Sequence, residues 1–183
     1  MRHIVLAVAA SVILLAVGTL PGQPGTPVEL SPAEREAMVK QAKLEPLKQL
    51  PGVFVQHVFW QAEGPSEENE RLRVAVELRL RNNGIPLQTA DDWKKTPGFP
   101  WLSCYVSYFK IGPALVARAF VHLQEEVVSV RTSNRLIMST WENSVPRQRL
   151  VDGAKFEEAR EWLLEAVDEF CNDYRAAHPK PAP

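Results

Sequence analysis

The stretch Ser66-Glu-Glu-Asn-Glu-Arg-Leu-Arg-Val-Ala-Val-Glu-Leu-Arg-Leu-Arg-Asn-Asn-Gly84 decides the fold, because it supports two readings. Leu72, Val74, Val76, Leu78 and Leu80 alternate with Arg73, Ala75, Glu77, Arg79 and Arg81, which taken alone is the period of a strand. The ends say otherwise. Ser66 is a good N-cap, and Glu67, Glu68 and Glu70 complement the positive end of a helix dipole. Arg79 and Arg81 complement the negative end, and Asn82-Asn83-Gly84 supplies a left-handed stop. The segment is therefore expected to be a helix with a broad apolar arc, interrupted mainly by Arg79 and packed on a sheet.

The neighbours fit that choice. Upstream, Val53-Phe-Val-Gln-His-Val-Phe-Trp60 reads as a strand between Pro51-Gly52 and Gly64-Pro65. Downstream, Ile85 to Thr89 is expected as a short edge strand, since Pro86 cannot donate to a ladder. Asp91 to Pro100 reads as a loop. Three strands of one antiparallel sheet should follow. Trp101 to Ile111 is aromatic and β-branched and ends at Gly112-Pro113. From Ala114 onward, Ala117, Ala119, Val121 and Leu123 alternate with Arg118, His122 and Gln124, and a slip at Glu125-Glu126 suggests a bulge or bend in a long strand. Arg135 to Glu142 returns after a turn at Asn134. Ser144 to Leu150 reads as a polar connection. The last helix, about Ala154 to Ala176 and opened by Asp152-Gly153, carries the stripe Phe156, Ala159, Leu163, Ala166, Val167, Phe170 and Tyr174.

Composition narrows the classes of function. Hydrophobic residues make up 45% of the 183 and charged residues 23%, which excludes wholesale disorder. The formal net charge is −1, and loss of a leader containing Arg2 leaves 20 basic against 22 acidic residues, or −2. A chain without basic excess is poorly suited to neutralise phosphates, so nucleic acid is not an expected partner. Arg2-His3 followed by the apolar run Ile4 to Val17 has the form of a secretory signal. Extended to Leu20 the run would still be short of the roughly 20 apolar residues of a membrane span. Export is expected, to the periplasm or another extracytoplasmic place, with residues 4–20 cleaved off or kept as an anchor. The only membrane contact expected is through that uncleaved segment.

The implied division is residues 1–22 as signal peptide or anchor, 23–52 as linker and amino-terminal helix, 53–178 as an α+β domain and 179–183 as a tail. Ser31-Pro-Ala-Glu34 forms a full capping box for a helix to about Leu44, bent or stopped at Pro46. The expected fold is a single mixed, mostly antiparallel sheet of about five strands, with two helices packed on one face and an amino-terminal helical arm. The pieces Leu78-Arg-Leu-Arg-Asn-Asn-Gly-Ile85, Leu102-Ser-Cys-Tyr-Val106, Val121-His-Leu-Gln-Glu-Glu-Val-Val128 and Ser139-Thr-Trp141, in this order, resemble small exported bacterial proteins of uncharacterised function. More distantly the order is similar to the amino-terminal domain of the Tol-system propeller protein and to the LPS-assembly lipoprotein. That resemblance implies a partner-binding piece of the bacterial envelope and carries no catalytic residues with it.

No local motif nominates chemistry. His3, His57, His122 and His178 are scattered, and Asp91-Asp92 lacks the further ligands of a calcium loop, so no metal or cofactor is expected. Neither a nucleophile elbow nor a phosphate-binding glycine loop occurs. Cys104 and Cys171 fall on a strand and on the helix expected to cover it, so they would either bridge or remain two buried thiols. Among the tryptophans, Trp60, Trp101 and Trp162 suit the core or its edge. Trp93 in a polar loop and Trp141 near a strand end, with Arg118, Phe120 and His122 on the wetter face of the long strand, are the candidate partner surface. The expected function is non-enzymatic: an exported cell-envelope module that binds another protein. The alternatives are a binder of a small apolar ligand between helices and sheet, and an exported hydrolase without a recognisable motif.

Overall fold

A computed structural model of the chain describes residues 31–60, 66–143, 147–153 and 155–179. The expected signal or anchor, the linker up to Leu30, the boundary at Gly64-Pro65, residues 144–146 and the tail from 180 lie outside the described residues. The elements run α1 (Pro32–Leu44), β1 (Phe54–Trp60), α2 (Glu67–Asn82), α3 (Ala90–Trp93), β2 (Trp101–Ile111), β3 (Ala114–Val128), β4 (Arg135–Glu142), β5 (Arg147–Val151) and α4 (Phe156–Ala177). This is an α+β fold with one mixed, open, five-stranded sheet. No helix among the described residues is long and apolar enough to cross a membrane.

The decisive stretch is a helix. Ser66 Oγ accepts from the Asn69 N–H at 3.0 Å, capping the amino end of α2. At the other end Ile85 N–H donates to Leu80 O and Gly84 N–H to Arg81 O, the paired bonds of a Schellman stop. Gly84 sits at φ +76°, where a side chain would be strained. The alternation is resolved in an instructive way. Successive alternate residues of a helix point to nearly opposite sides, so Leu72, Val76 and Leu80 form one fully buried stripe while Val74 and Leu78 stay 56% and 54% exposed. The apolar arc is therefore narrower than expected, with two of the five alternating residues facing outward.

Topology explains why the helix prevails. β1 and β2 pair in parallel, from Phe54↔Trp101 to Trp60↔Val106. A parallel neighbour needs a crossover that leaves the sheet and returns to its starting end, which a helix supplies. β2 and β3 then pair antiparallel along their whole common length, Trp101↔Gln124 to Ile111↔Ala114. On the far side of β3 lie β4, opposite residues 122–128, and β5, opposite 115–119. These two share one sheet position and run in the same direction. At their junction buried Asn143 stands in for the ladder: its N–H donates to Val121 O, and its Oδ1 accepts from the Val121 N–H at 3.0 Å.

Four local expectations are corrected. Ile85 to Thr89 makes one bridge, Val53↔Leu87, and not a strand, since Val53 N–H donates to Pro86 O and Gln88 N–H to Val53 O before the chain turns into α3. Arg147–Val151, expected as polar connection, is strand β5, because β3 is long enough to offer a second partner site beyond β4. The loop after Thr89 begins with α3, whose N-cap is the Thr89 hydroxyl accepting from Asp92 N–H. In place of the bulge or bend expected at Glu125-Glu126, the irregularity lies across the ladder in β4, where Thr140 is the extra residue between Leu123↔Trp141 and Gln124↔Ser139.

Helices α2 and α4 cover one face. Leu102, Cys104, Val106, Val121 and Leu123 from the sheet and Leu72, Val76, Leu163, Val167 and Phe170 from the helices are fully buried in one core. A small apolar ligand at this level would have to displace them. Helix α4 starts two residues later than expected, with Lys155 at its N-cap. The arm α1 keeps its capping box, Ser31 N–H donating to Glu34 Oε2 and Glu34 N–H to Ser31 Oγ, yet buries none of its own residues. It is tied down at its end, where Lys43 Nζ reaches Glu169 at 2.7 Å and Asp173 at 3.1 Å and buried Leu47 follows. The helical phase of α2 sets unequal costs for its leucines. Leu72→Ala should lower the free energy of unfolding by about 2–5 kcal/mol, whereas Leu78→Ala should change it by no more than about 0.5 kcal/mol, both read from urea denaturation of the two variants.

Candidate functional site

The face of the sheet turned away from α2 and α4 carries no second long helix among the described residues, and its side chains form the candidate site. In β2 the odd positions Trp101, Ser103, Tyr105 and Ser107 point there while Leu102, Cys104 and Val106 point to the core. The β2–β3 register brings Phe120 opposite Tyr105, His122 opposite Ser103 and Arg118 opposite Ser107. In β1 the extra residue Gln56 resets the phase, so Val55 and Val58 both enter the core and Phe59 comes opposite Tyr105 on this outer face.

The result is a row of stacked rings across three strands. Phe59 and Tyr105 have centroids 5.1 Å apart, and Tyr105 and Phe120 4.8 Å, with planes inclined by 10° and 26°. His122 stacks on both Tyr105 and Phe120, and the Arg118 guanidinium lies 3.9 Å from the Phe120 ring centre. A second group gathers at the other end of the face. Trp93, delivered by α3, stacks on Phe54 at 5.0 Å and meets Phe99 and Trp101 edge-on. Trp101 Nε1 and Ser103 Oγ both donate to Gln124 Oε1. Among the described residues Trp93 Nε1 and Arg118 Nε have no hydrogen-bond acceptor although both atoms are buried.

His122 is the polar centre of the first group. Its Nε2 lies 3.4 Å from the Tyr105 hydroxyl, and its Nδ1 lies 3.3 Å from Ser139 Oγ and 3.7 Å from Glu142 Oε2. A nucleophile relay needs the hydroxyl and the carboxylate on opposite ring nitrogens. Here both face Nδ1, and a phenol occupies the other side, so the cluster is built as a hydrogen-bonded knot and not as a Ser-His-acid relay. Burial pushes the imidazole below its ordinary range, with Glu142 opposing that shift and Arg118 adding to it. Burial raises the Tyr105 phenol as well.

Four of the five expected surface residues, Trp93, Arg118, Phe120 and His122, lie on this face. Trp141 does not, and its assignment to an exposed partner surface is corrected. It is 2% exposed, packed edge-on against Phe170 at 5.0 Å, with Nε1 donating to Asp173 Oδ2 at 3.0 Å and the Lys43 ammonium 4.8 Å over its ring. The physical reason is the extra residue Thr140. Strict alternation would put Trp141 on the same side as Ser139, and the bulge turns it inward. Phe54, Phe59, Phe99, Trp101, Tyr105, Ser139 and Glu142 join the site without having been expected in it. The signal for Trp101 and Tyr105 was the alternation of β2, whereas Phe59 needed the β1 bulge.

Cys104 and Cys171 are free and buried. Burial raises both thiols far above the ordinary range, Cys171 to about 12, so neither is a reactive nucleophile. Among the described residues no three His, Cys, Asp or Glu side chains gather to hold a metal ion. His57 is exposed on β1, and His178 stacks on Tyr174 at the end of α4. No family model, no curated protein and no solved structure matches the chain.

The His122 environment gives a pH signature. A histidine whose folded pKa lies below its unfolded value stabilises the fold above about pH 6.5, and that contribution is lost as pH falls through the folded pKa. Glu125, raised by burial, works in the opposite sense near the carboxylate range. Urea unfolding should therefore show stability declining between about pH 7 and 5, and His122→Gln should flatten that decline while leaving the Glu125 response in place. An unchanged slope in the variant would remove His122 from the account.

Proposed function

We propose that this chain is a non-enzymatic exported module of the cell envelope that binds another protein through the outer face of its sheet. The observation that carries the reading is the two groups of half-buried aromatic rings, one crossed by the Arg118 guanidinium, on a face that no helix layer covers among the described residues. Aromatic rings and arginine are the side chains most often responsible for affinity at protein interfaces, and they contribute most where a partner completes their desolvation. Export rests on Arg2-His3 and the apolar run from Ile4 to Val17, with periplasmic or other extracytoplasmic residence and with cleavage or anchoring as the two fates. The resemblance in element order to partner-binding envelope proteins points the same way.

The outer-face reading has a direct test, affinity capture from envelope fractions with the full chain. Phe120→Ala and Arg118→Ala, each checked for native circular dichroism, should reduce recovery of a specific partner by about tenfold or more. Leu78→Ser, an exposed change on α2 on the opposite side of the sheet, should leave recovery as it is. Equal recovery of every captured protein by the Phe120 and Arg118 variants would overturn the assignment of this face.

A further inference from the structure

The two edges of the sheet are treated differently. The outer edge of β1 is closed by α2: Arg73 donates to Val55 O at 2.8 Å and to Gln56 O at 3.1 Å, and the Trp60 N–H donates to Asn69 Oδ1 at 2.7 Å. The outer edge of β4 has no such cover among the described residues. Arg135 to Ser139 are exposed without a break, and Leu136, Ile137 and Met138 expose 47%, 64% and 52% of their surfaces. Bare, apolar edges invite another strand, which is why β1-type blunting is the usual state of a sheet edge.

The ladder says which groups are free. Ser129 N–H donates to Asn134 O, so Ser129 and Asn134 are a hydrogen-bonded pair, and alternation along the register makes Leu136 and Met138 the next two residues facing β3. Arg135, Ile137 and Ser139 therefore turn their N–H and C=O groups outward. This set is self-complementary about Ile137. Two antiparallel copies of β4 related by a two-fold axis at that residue would pair Ile137 with Ile137 and Arg135 with Ser139, all through outward-facing groups. Leu136 would meet Met138 of the second copy on the other face.

Charge fits the same register. Because Thr140 is an extra residue, Ser139 and Glu142 are successive on the outer face, where Glu142 stands opposite His122 and Ser139 opposite Gln124. Arg135 of one copy would thus have Glu142 of the other as its diagonal neighbour, twice across the axis, within reach of two long side chains. Arg135 and Glu142 keep most of their side chains in solvent, 74% and 63%, while Arg135 reaches Glu126 at 2.8 Å and Glu142 stands 3.7 Å from His122 within one copy. We infer that the β4 edge is a self-pairing surface, joining two copies of this chain into one continuous sheet with Ile137 on the two-fold axis. The interface is isologous and closes at two copies, because the β1 edge of each copy is already blocked. Helices α2 and α4 of both copies then lie on one side, and the aromatic outer faces form a single platform of double width. The edge shares Ser139 and Glu142 with the ring-bearing face, but self-pairing along it does not depend on that face binding a partner and stands if that reading fails.

The test is sedimentation equilibrium of the full chain in one mild detergent, over a range of protein concentration. The apparent mass should rise toward twice the monomer value, and Ile137→Pro, which removes the central outward N–H, should hold it at the monomer value. Arg135→Glu should weaken association by about tenfold, and Arg135→Glu combined with Glu142→Arg should restore it. Ile137→Cys should form an intermolecular disulfide on air oxidation while Leu150→Cys does not, the native thiols being buried. A chain monomeric throughout the range, or equal cross-linking by the two cysteine variants, overturns the proposal and leaves the edge to a foreign extended segment. Should Ile137→Pro fail to fold, the charge pair and the cross-link decide the matter.

Discussion

The parallel pairing of β1 with β2 is the constraint on which the remaining architecture depends. Two parallel neighbours cannot be joined by a hairpin, so residues 66–84 must leave the sheet, travel back and re-enter at the same end. A helix does this while meeting its own backbone hydrogen bonds, and its buried stripe of Leu72, Val76 and Leu80 then has to find a covering partner. The α4 stripe supplies one, and the Arg71–Glu157 and Arg79–Asp168 pairs lie along the exposed seam. Both helices are thereby committed to the same side of the sheet. The other side is left to cover itself with its own aromatic rings.

That division of labour links the fold to its surfaces. The helix-covered face is closed by a core in which Trp141, Asp173 and Lys43 also fasten the arm α1. The outer face is only half-buried, because rings that stack on one another across strands hide their faces and leave their rims in water. The same asymmetry recurs at the edges. Side chains of α2 satisfy the Val55 and Gln56 carbonyls and the Trp60 N–H of β1, and among the described residues α2 has no counterpart beside β4. A long β3 gives one sheet position to both β4 and β5, so the hairpin made with β4 carries its apolar residues beyond the shelter of the helices.

Two single-residue irregularities do much to set which residues reach which face. Gln56 in β1 allows Val55 and Val58 to share the core and sends Phe59 to the outer row. Thr140 in β4 separates Ser139, which reaches His122, from Trp141, which reaches Phe170. Without the second irregularity the most enclosed tryptophan of the core would lie on the solvent side.

The amino-acid sequence by itself determined the elements whose signals are local. The Ser66 cap and the Asn82-Asn83-Gly84 stop made α2 a helix, Ser31-Pro-Ala-Glu34 started α1, and the seven-residue stripe of α4 named its buried face, because caps and helical periodicity act within a few residues. The alternation of β3 likewise separated Arg118, Phe120 and His122 from the core. Only the tertiary structure decided matters that depend on a partner strand: that Arg147–Val151 is a strand while Ile85–Thr89 is a single bridge, that the bulge falls at Thr140 and not at Glu125, and that Trp141 turns inward. A ladder is a relation between segments distant in the chain, and a bulge exists only with respect to the strand across from it, so no window on one segment contains the information.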